Sequence, residues 1–214
     1  LEIDGAAGTG KSTVVRAIID RLGLKSSEVL YVTYTGKAAL ELTKKGCRTY
    51  TIHSSFYELL EEQKKDENGK PMFKLGRPVL IYKFKRRDFI SGKIKLIVAD
   101  EAGMIPENMR DDILHFGIPV IALGDLLQLP PIFGKPAFLQ KVDYTLTEIM
   151  RQAEGDPIVY LATLARNQKY IRDGSYGRKC HVISKDDLLD DMLRYSDIII
   201  CGKNDTRHKL NHYY

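Results

Sequence analysis

The sequence has no tryptophan, only three cysteines among its 214 residues, and no long uninterrupted apolar run. Cys47, Cys180 and Cys201 are far apart and form no CxxC pair, so neither a zinc site nor a redox pair is indicated. No apolar run reaches the 18 or so residues of a membrane helix, and the amino terminus lacks a signal-peptide pattern. We therefore expect a cytoplasmic protein with reduced thiols and no membrane partner.

The composition is that of an ordinary globular protein: 43% of residues are hydrophobic, 29% are charged, and the formal net charge is +5. These values exclude a disordered chain and a disulfide-rich miniature. The length suggests one or two domains. Because the segment from Leu1 to Asp4 already has the character of a strand, we expect the chain to be part of a longer protein.

Short apolar runs rich in β-branched residues alternate with helical patterns along the chain, which is typical of an α/β fold with a buried parallel sheet. After the strand at Leu1–Asp4, the predicted strands are Val29–Thr33, Ile94–Ala99, Ile118–Leu123 and Asp197–Cys201. The predicted helices are Ser12–Leu22, Lys37–Lys45, Ile52–Gln63, Pro106–Phe116, Pro157–Arg172 and Lys185–Tyr195.

The segment 64–95 interrupts this alternation and is strongly basic. It has eleven Lys and Arg against three Asp and Glu, a local charge of +8, while the rest of the chain sums to −3. A tight-turn pair, Asn68-Gly69, precedes Met72, Phe73, Leu75 and the apolar run Val79–Phe84, a pattern that predicts an inserted β-ribbon. A solvated basic loop without function is the alternative interpretation.

A glycine-rich segment after the first strand matches the phosphate-loop pattern GxxxxGK[ST]. It consists of Gly5, Ala6, Ala7, Gly8, Thr9, Gly10, Lys11 and Ser12, and Thr13 begins the following helix. Small residues let backbone N–H groups surround phosphate oxygens at a helix amino terminus. We expect Lys11 to reach the β- and γ-phosphates of ATP and the Ser12 hydroxyl to bind Mg²⁺.

Two further polar groups follow buried strands, at the sheet edge where ligands of open α/β sheets bind. Asp100 and Glu101 end the run from Lys95, so Asp100 is a candidate to hold Mg²⁺ and Glu101 to orient or deprotonate the attacking water. Gln128 lies in the segment Gly124–Pro131 and is a candidate γ-phosphate sensor. The alternatives are carboxylates that cap the next helix and a rigid surface turn.

Six ordered blocks of this sequence resemble superfamily 1 helicases of the 5′→3′ RecD-like branch, which includes the phage Dda-type enzymes. The blocks cover nearly the whole chain: Gly5–Ser12, Thr35–Ala39, Thr51–Ser55, Asp100–Ala102, Gly124–Pro131 and Leu146–Gln152. The resemblance implies a RecA-like motor domain 1A over 1–150, an inserted subdomain 1B at about 64–92, and the beginning of a second RecA-like domain 2A over 151–214. It implies a bacterial or phage-infected cell as the source.

The resemblance also implies roles for individual residues. Gln128 couples the γ-phosphate to DNA, and Arg151 corresponds to the arginine that contacts the γ-phosphate from the second domain. Phe73 or Met72 is a candidate tip for a strand-separating pin, and an ordinary core position in the ribbon is the alternative for Phe73. The residues that match the single-strand track are Thr35, Lys37, Thr51, His53 and Ser54.

These observations predict an ATP-dependent DNA helicase that moves on single-stranded DNA, 5′→3′ by resemblance, and opens single-strand/duplex junctions. Replication or recombination proteins are its expected partners. Two alternatives stay open at this point: a P-loop phosphotransferase such as a nucleoside kinase, and a nucleic-acid-binding fragment without motor activity.

Overall fold

The computed structural model describes residues 1–131, 134–148, 156–178 and 180–213. The chain divides into two compact units, Leu1–Arg151 and Gln152–Tyr214. Assignment of these units to motor domains 1A and 2A stays a prediction. Within the described residues, none of the helices combines the length and apolarity needed to cross a membrane.

The first unit is built on a six-stranded parallel sheet with the strand order β10-β1-β9-β8-β2-β3. Its elements in chain order are β1 Glu2–Gly5, α1 Lys11–Arg21, β2 Val29–Thr33, α2 Gly36–Lys44, β3 Thr49–Thr51, α3 Ile52–Phe56, β4 Tyr57–Gln63, β5 Phe73–Lys74, β6 Arg77–Pro78, β7 Leu80–Arg86, β8 Leu96–Asp100, α4 Glu107–Leu114, β9 Val120–Gly124 and β10 Tyr144–Leu146. The predicted α/β class with a parallel sheet is confirmed.

Strand β8 shows why the apolar runs had to be strands buried on both faces. Its side chains alternate, so that Ile97 and Ala99 join the apolar cluster on one face while Leu96 and Val98 join the cluster on the other. All four side chains are buried. A strand covered on both sides cannot show a polar alternation, which explains its continuous apolar sequence.

The predicted helix Ile52–Gln63 is wrong in its second half. Helix α3 ends at Phe56, and Tyr57–Gln63 forms strand β4, which pairs antiparallel with β7. The helical pattern was ambiguous because the sequence of β4 contains both leucines and glutamates, and the long-range pairing with β7 decided the outcome. The predicted ribbon is therefore present, and its paired strands begin at Tyr57.

A hydrogen-bonded group ties the ribbon to helix α4. The Tyr57 hydroxyl donates to Asp112 Oδ2 at 2.7 Å, and Arg86 Nη1 donates to Asp112 Oδ1 at 2.7 Å. Burial, and then the bond to Asp112, raise the pKa of Tyr57, so its phenol stays protonated and keeps donating. Asp112 thus holds two residues at the base of the ribbon.

We expect Asp112→Ala to lower the free energy of unfolding by about 1–3 kcal/mol, because it leaves the donors of Tyr57 and Arg86 without their acceptor. Urea denaturation measures this loss. Asp111→Ala is the matched control, since Asp111 lies on the same helix with its side chain 66% exposed and pairs only at the surface with Arg110. Equal stability of the two variants would contradict the tethering role of Asp112.

The second unit contains short elements that differ from prediction. They are α5 Pro157–Arg166, β11 Gly174–Tyr176, β12 Cys180–Val182, α6 Asp190–Arg194 and α7 Asn204–Tyr213, with β11 and β12 paired antiparallel. Helix α5 ends at Arg166, six residues before the predicted Arg172, and Gln168 just beyond the helix has a positive φ of 53°. The predicted helix Lys185–Tyr195 is two pieces, a 3-10 turn over Lys185–Asp187 and α6.

The predicted strand Asp197–Cys201 is wrong for the chain as the structure describes it. These residues carry no strand assignment, and Ile198 and Ile200 are 74% and 91% exposed. An apolar β-branched run becomes a sheet strand only where neighbouring strands supply hydrogen bonds and cover its faces. The described part of this unit offers only the separate β11-β12 hairpin.

Candidate nucleotide and nucleic-acid site

The phosphate loop connects β1 to α1 through a compact turn of small residues. Gly8 and Gly10 have φ values of 85° and 88°, a left-handed conformation that glycine adopts without steric cost. The buried Thr9 closes the turn by donating its hydroxyl to the Ala6 carbonyl at 2.9 Å. Helix α1 then begins at Lys11, so its first N–H groups border the loop.

Gly5 is required by close packing at the start of this loop. A Cβ atom at Gly5 would lie 2.6 Å from Thr9 Oγ1 and 3.0 Å from the Leu146 carbonyl oxygen. These contacts leave no room for a larger side chain between the loop and β10. The first glycine of the pattern thus has a steric reason that the sequence spacing alone did not reveal.

Lys11 is held against its own loop. Its ammonium Nζ donates to the carbonyl oxygens of Gly5 at 2.5 Å and Ala6 at 3.0 Å. Ser12 and Thr13 follow on α1 and are exposed. The ammonium and the Ser12 hydroxyl therefore belong to the same loop–helix junction, the arrangement that the phosphate-loop pattern predicts.

Asp100 and Glu101 lie at the carboxyl end of β8, two strands from β1 in the sheet. The Glu101 N–H donates to Asp100 Oδ1 at 2.9 Å. Glu101 has a φ of 55°, a left-handed conformation that costs a non-glycine residue on the order of 1–3 kcal/mol. Such strain clusters at functional sites, where the surrounding structure holds a side chain in a required direction.

Burial raises the pKa of both carboxyl groups. For Glu101 the charges of Asp100 and Asp125 add to the effect, whereas the positive charge of Lys11 opposes it at both positions. Lys11, Asp100, Glu101 and Asp125 therefore interact electrostatically in one region. The structure brings together three of the predicted catalytic residues, Lys11, Asp100 and Glu101.

We expect Asp100→Asn to stabilise the nucleotide-free chain at pH 7. Because the folded-state pKa of Asp100 is raised, the ionised carboxylate weakens the fold above the folded pKa, and this cost disappears in acid where the group is protonated in both states. Asparagine can still accept the Glu101 N–H. Thermal unfolding at pH 7 and below about pH 4 measures the effect.

The gain should be present at pH 7 and vanish in acid, with Asp111→Asn as an exposed control that gains nothing. A loss of stability at pH 7 in Asp100→Asn would show that the carboxylate is stabilised by its surroundings and not penalised by them.

The loop after β9 is shaped by two buried aspartates. Asp4 Oδ1 accepts the Leu126 N–H at 2.9 Å, and Asp125 Oδ1 accepts the Leu127 N–H at 3.0 Å. The Gln128 N–H donates to the Asp125 carbonyl at 3.0 Å, and the Gln128 side chain is exposed. The sequence analysis missed both aspartates, although Asp4, a charged residue in an apolar strand, was a visible signal.

The residues of the proposed single-strand track lie at the ends of the neighbouring strands β2 and β3. Thr35 and Thr51 are the N-caps of α2 and α3, where their hydroxyl oxygens accept the N–H groups of Ala38 at 3.3 Å and Ser54 at 3.2 Å. Lys37 is exposed on the first turn of α2. Capping explains these hydroxyls structurally, and their role toward nucleic acid stays a prediction.

His53 packs among aromatic rings. Its ring centroid is 4.8 Å from that of Phe84, 5.6 Å from Tyr57 and 6.4 Å from Tyr34. The sequence analysis did not foresee this cluster, because Phe84 reaches His53 only through the pairing of β4 with β7.

The parallel register places all these groups at one edge of the sheet. Thr33, the last residue of β2, is level with Asp100 on one side and with Thr51 on the other. The phosphate loop, Asp100 and the loop after β9 share the edge formed by the carboxyl ends of the strands, and the ends of β2 and β3 continue it. The two candidate sites are therefore adjacent.

Two other predicted positions have different outcomes. Arg151 lies outside the described residues. Phe73 is exposed on β5 beside a turn whose central residues, Leu75 and Gly76, have φ values of 51° and 74°. Leu75, which is 96% exposed, is the apolar residue at that turn, and Gly76 was the overlooked turn signal.

A protein-family model described as an AAA domain matches residues 2–188. The chain belongs to the AAA domain family. Among the relatives of this AAA domain, the ATP-dependent DNA helicase PIF3 of Trypanosoma brucei brucei is 29% identical over 182 residues, which are 78% of this chain and 21% of the relative. The ATP-dependent DNA helicase PIF1 of Candida albicans is 33% identical over 138 residues, which are 62% of this chain and 15% of the relative.

The crystal structure of Bacteroides Pif1 bound to single-stranded DNA superimposes with a TM-score of 0.52 at 21% identity, covering 80% of this chain and 43% of that one. This likeness shows the P-loop NTPase fold. The matched part of this chain spans about a fifth or less of the length of the two helicase relatives, PIF3 and PIF1. These relatives confirm the resemblance to superfamily 1 helicases, whereas a phage or bacterial origin stays a prediction.

Proposed function

We propose that this AAA domain is the nucleotide-binding motor part of an ATP-dependent DNA helicase. The observation that carries the proposal is the shared sheet edge, where Asp100 and Glu101 at the end of β8 lie between the phosphate loop and the ends of β2 and β3. A nucleotide bound beside Asp100 would contact the end of β8, and single-stranded DNA bound at the ends of β2 and β3 would contact the neighbouring β-strands of the same sheet. Changes in the nucleotide can then alter the grip on the strand.

The proposed chemistry follows from the residues at this edge. Lys11 and the N–H groups at the start of α1 bind the β- and γ-phosphates, and Glu101 accepts the proton of the attacking water. Glu101 has the raised pKa expected of a general base, although it must be ionised to act. Gln128 senses the γ-phosphate, and Arg151 stabilises transition-state charge, as the helicase resemblance implies.

Mg²⁺ fits the donor set of Ser12 and Asp100. Both offer oxygen ligands, and Mg²⁺ in phosphate sites is usually held by one or two carboxylates together with substrate phosphates. When bound, the ion neutralises charge on the β- and γ-phosphate oxygens.

Single-stranded DNA is the proposed track, and single-strand/duplex junctions are the proposed substrate. Both are taken from the helicase resemblance, as are the 5′→3′ direction, a role with replication or recombination proteins, and a cytoplasmic location. The Pif1 relative of known structure, which is bound to single-stranded DNA, supports the choice of track. The residues proposed to contact the phosphates and sugars of the DNA are Thr35, Lys37, Thr51, His53 and Ser54.

The test is an ATPase assay on the full-length protein with and without single-stranded DNA. We expect the strand to stimulate hydrolysis, and ATPase activity insensitive to the strand would contradict a motor. Phosphate transfer from ATP to a nucleoside would instead support the kinase alternative.

The basic segment 64–95 favours a second candidate, a nucleic-acid-binding module without motor activity. Strand binding through phosphates should weaken with salt, with a slope in log K against log salt of about −0.7 for each neutralised phosphate. Salt-dependent binding with no hydrolysis by the full-length protein would identify this module. Anisotropy titrations across a salt series measure the slope, and we expect Lys37→Ala to reduce it by about one phosphate equivalent.

A further inference from the structure

The ribbon formed by β4 and β7 has two chemically different faces, because side chains alternate between the faces of a strand. One face carries Glu58 opposite Lys85, Leu60 opposite Lys83 and Glu62 opposite Ile81, so four of its six residues are charged. The other face carries Leu59 opposite Phe84, Glu61 opposite Tyr82, Gln63 opposite Leu80 and, at the base, Tyr57 opposite Arg86, so five of its eight residues are apolar or aromatic. We call Leu59, Tyr82 and Phe84 the ribbon platform.

The ribbon platform is open to solvent. Leu59 is 59% exposed, Tyr82 61% and Phe84 58%, in a ribbon whose other face is stabilised by the ion pair between Lys83 and Glu62 at 2.6 Å. Leu59 and Phe84 are directly opposite each other and Tyr82 is the next residue of β7 on that face, so the platform is a group of exposed apolar side chains.

The ribbon platform is continuous with the proposed nucleic-acid site. Phe84 contacts His53, with ring centroids 4.8 Å apart, and His53 lies on α3 two residues after the N-cap Thr51. Tyr57 fills the corner between them, 6.3 Å from Phe84. A strand held by its phosphates at the ends of β2 and β3 would therefore have its next bases beside Phe84.

Charge and spacing favour bases as the occupant of this face. Residues 57–95, which include both strands of the ribbon, have eleven Lys and Arg against six Asp and Glu, a net charge of +5 that suits a polyanion. Glu61 lies beside Tyr82 on the platform side, where a carboxylate accepts hydrogen bonds from base amino groups and repels phosphates. Tyr82 and Phe84 are two residues apart on the same face of β7, a spacing of about 6.8 Å. This is twice the roughly 3.4 Å rise of a stacked nucleotide, so the two rings can stack on two bases that are separated by one base.

We propose that bases of single-stranded nucleic acid stack on Tyr82 and Phe84 of the ribbon platform, while their phosphates are bound at the ends of β2 and β3. This inference rests on the proposed function, and it adds a base-stacking surface to a track of backbone contacts. Stacking tolerates every base, because each base has a π face. The ribbon would thereby bind the DNA along the face of β4 and β7 as well as at its tip.

The experiment compares two fluorescein-labelled probes, an oligothymidylate and an abasic strand of the same length, by anisotropy with the complete chain. The wild type should bind the oligothymidylate more tightly. Phe84→Leu and Tyr82→Leu keep an apolar side chain without the ring, and each should weaken oligothymidylate binding at least about fivefold, the lower end of a base–aromatic stack. Abasic binding should not change.

Three controls make the result specific. Leu60→Ala changes the opposite face of the same ribbon and should bind both probes as the wild type does, while Phe84→Trp keeps a ring and should retain the preference for bases. Tyr82 makes the test independent of the His53 cluster if Phe84→Leu is poorly folded, which circular dichroism would reveal.

Equal binding of both probes by the wild type, or full oligothymidylate affinity in both leucine variants, would contradict base stacking on Tyr82 and Phe84. In either case the proposed function would survive, provided that the abasic strand still binds in a salt-dependent manner and Lys37→Ala weakens it. Failure of the wild type to bind either probe would contradict the proposed function and the platform together.

Discussion

Lys11→Ala is expected to reduce ATP hydrolysis at least about a hundredfold, the loss typical of removing one electrostatic contact to a developing charge. Lys11 is the cation of the phosphate loop and the positive charge that acts on both Asp100 and Glu101. A phosphate-release assay on the full-length protein measures the hydrolysis rate. A calorimetric titration of the same protein measures the accompanying loss of nucleotide affinity.

The Lys11→Ala variant should remain folded, because it loses two bonds to the Gly5 and Ala6 carbonyls, worth about 1 kcal/mol each, together with the charge interaction with Asp100 and Glu101. Lys44→Ala is the matched control, since Lys44 is an exposed lysine that pairs with Glu41 at the surface of α2. Unchanged hydrolysis in Lys11→Ala, with a normal unfolding transition, would exclude the phosphate loop as the site of turnover.

Glu101→Gln should bind nucleotide with the affinity of the wild type and lower turnover by about 10²- to 10⁴-fold, the contribution of a positioned general base. Glutamine keeps the size of the side chain and one acceptor oxygen, but its amide cannot accept the proton of the water. Single-turnover hydrolysis and equilibrium binding, measured on the same preparation, separate the two effects.

The pH profile adds a second readout for Glu101. Because burial and the charge of Asp100 raise its pKa, the acid limb of turnover should lie above the ordinary glutamate pKa of about 4.3. Glu107→Gln, an exposed residue at the start of α4, should leave both rate and profile unchanged. Wild-type turnover in Glu101→Gln would transfer the role of base to another group.

The four inner strands of the sheet, β1, β9, β8 and β2, could be predicted because their information is local, whereas the three-residue edge strands β3 and β10 were not predicted. The first four residues of β8, Leu96 to Ala99, are all apolar, and the phosphate loop has a spacing that few other structures require, so both can be identified from the sequence alone. Placement of Lys11, Asp100 and Glu101 at one edge then followed from the rule that parallel strands present their carboxyl ends together.

The ribbon could be predicted only in part, because its information is non-local. Residues 57–63 have a composition that suits a helix as well as a strand, and the seven cross-strand pairs with 80–86 decide between them. The contact between Phe84 and His53 depends on that register, since a shift of one residue would turn Phe84 to the other face. The predicted strand Asp197–Cys201 is wrong for the same reason, because an apolar run forms a strand only beside a partner strand, and the described residues of this unit provide none.

The most direct measurement of the central claim is a calorimetric titration of the chain with magnesium and a slowly hydrolysed ATP analogue. We predict saturable binding of one nucleotide per chain in the wild type and in Glu101→Gln, and strongly weakened binding in Lys11→Ala. Absence of binding in the wild type, or equal binding in Lys11→Ala, would contradict the assignment of the loop Gly5–Ser12 as the site that grips the triphosphate.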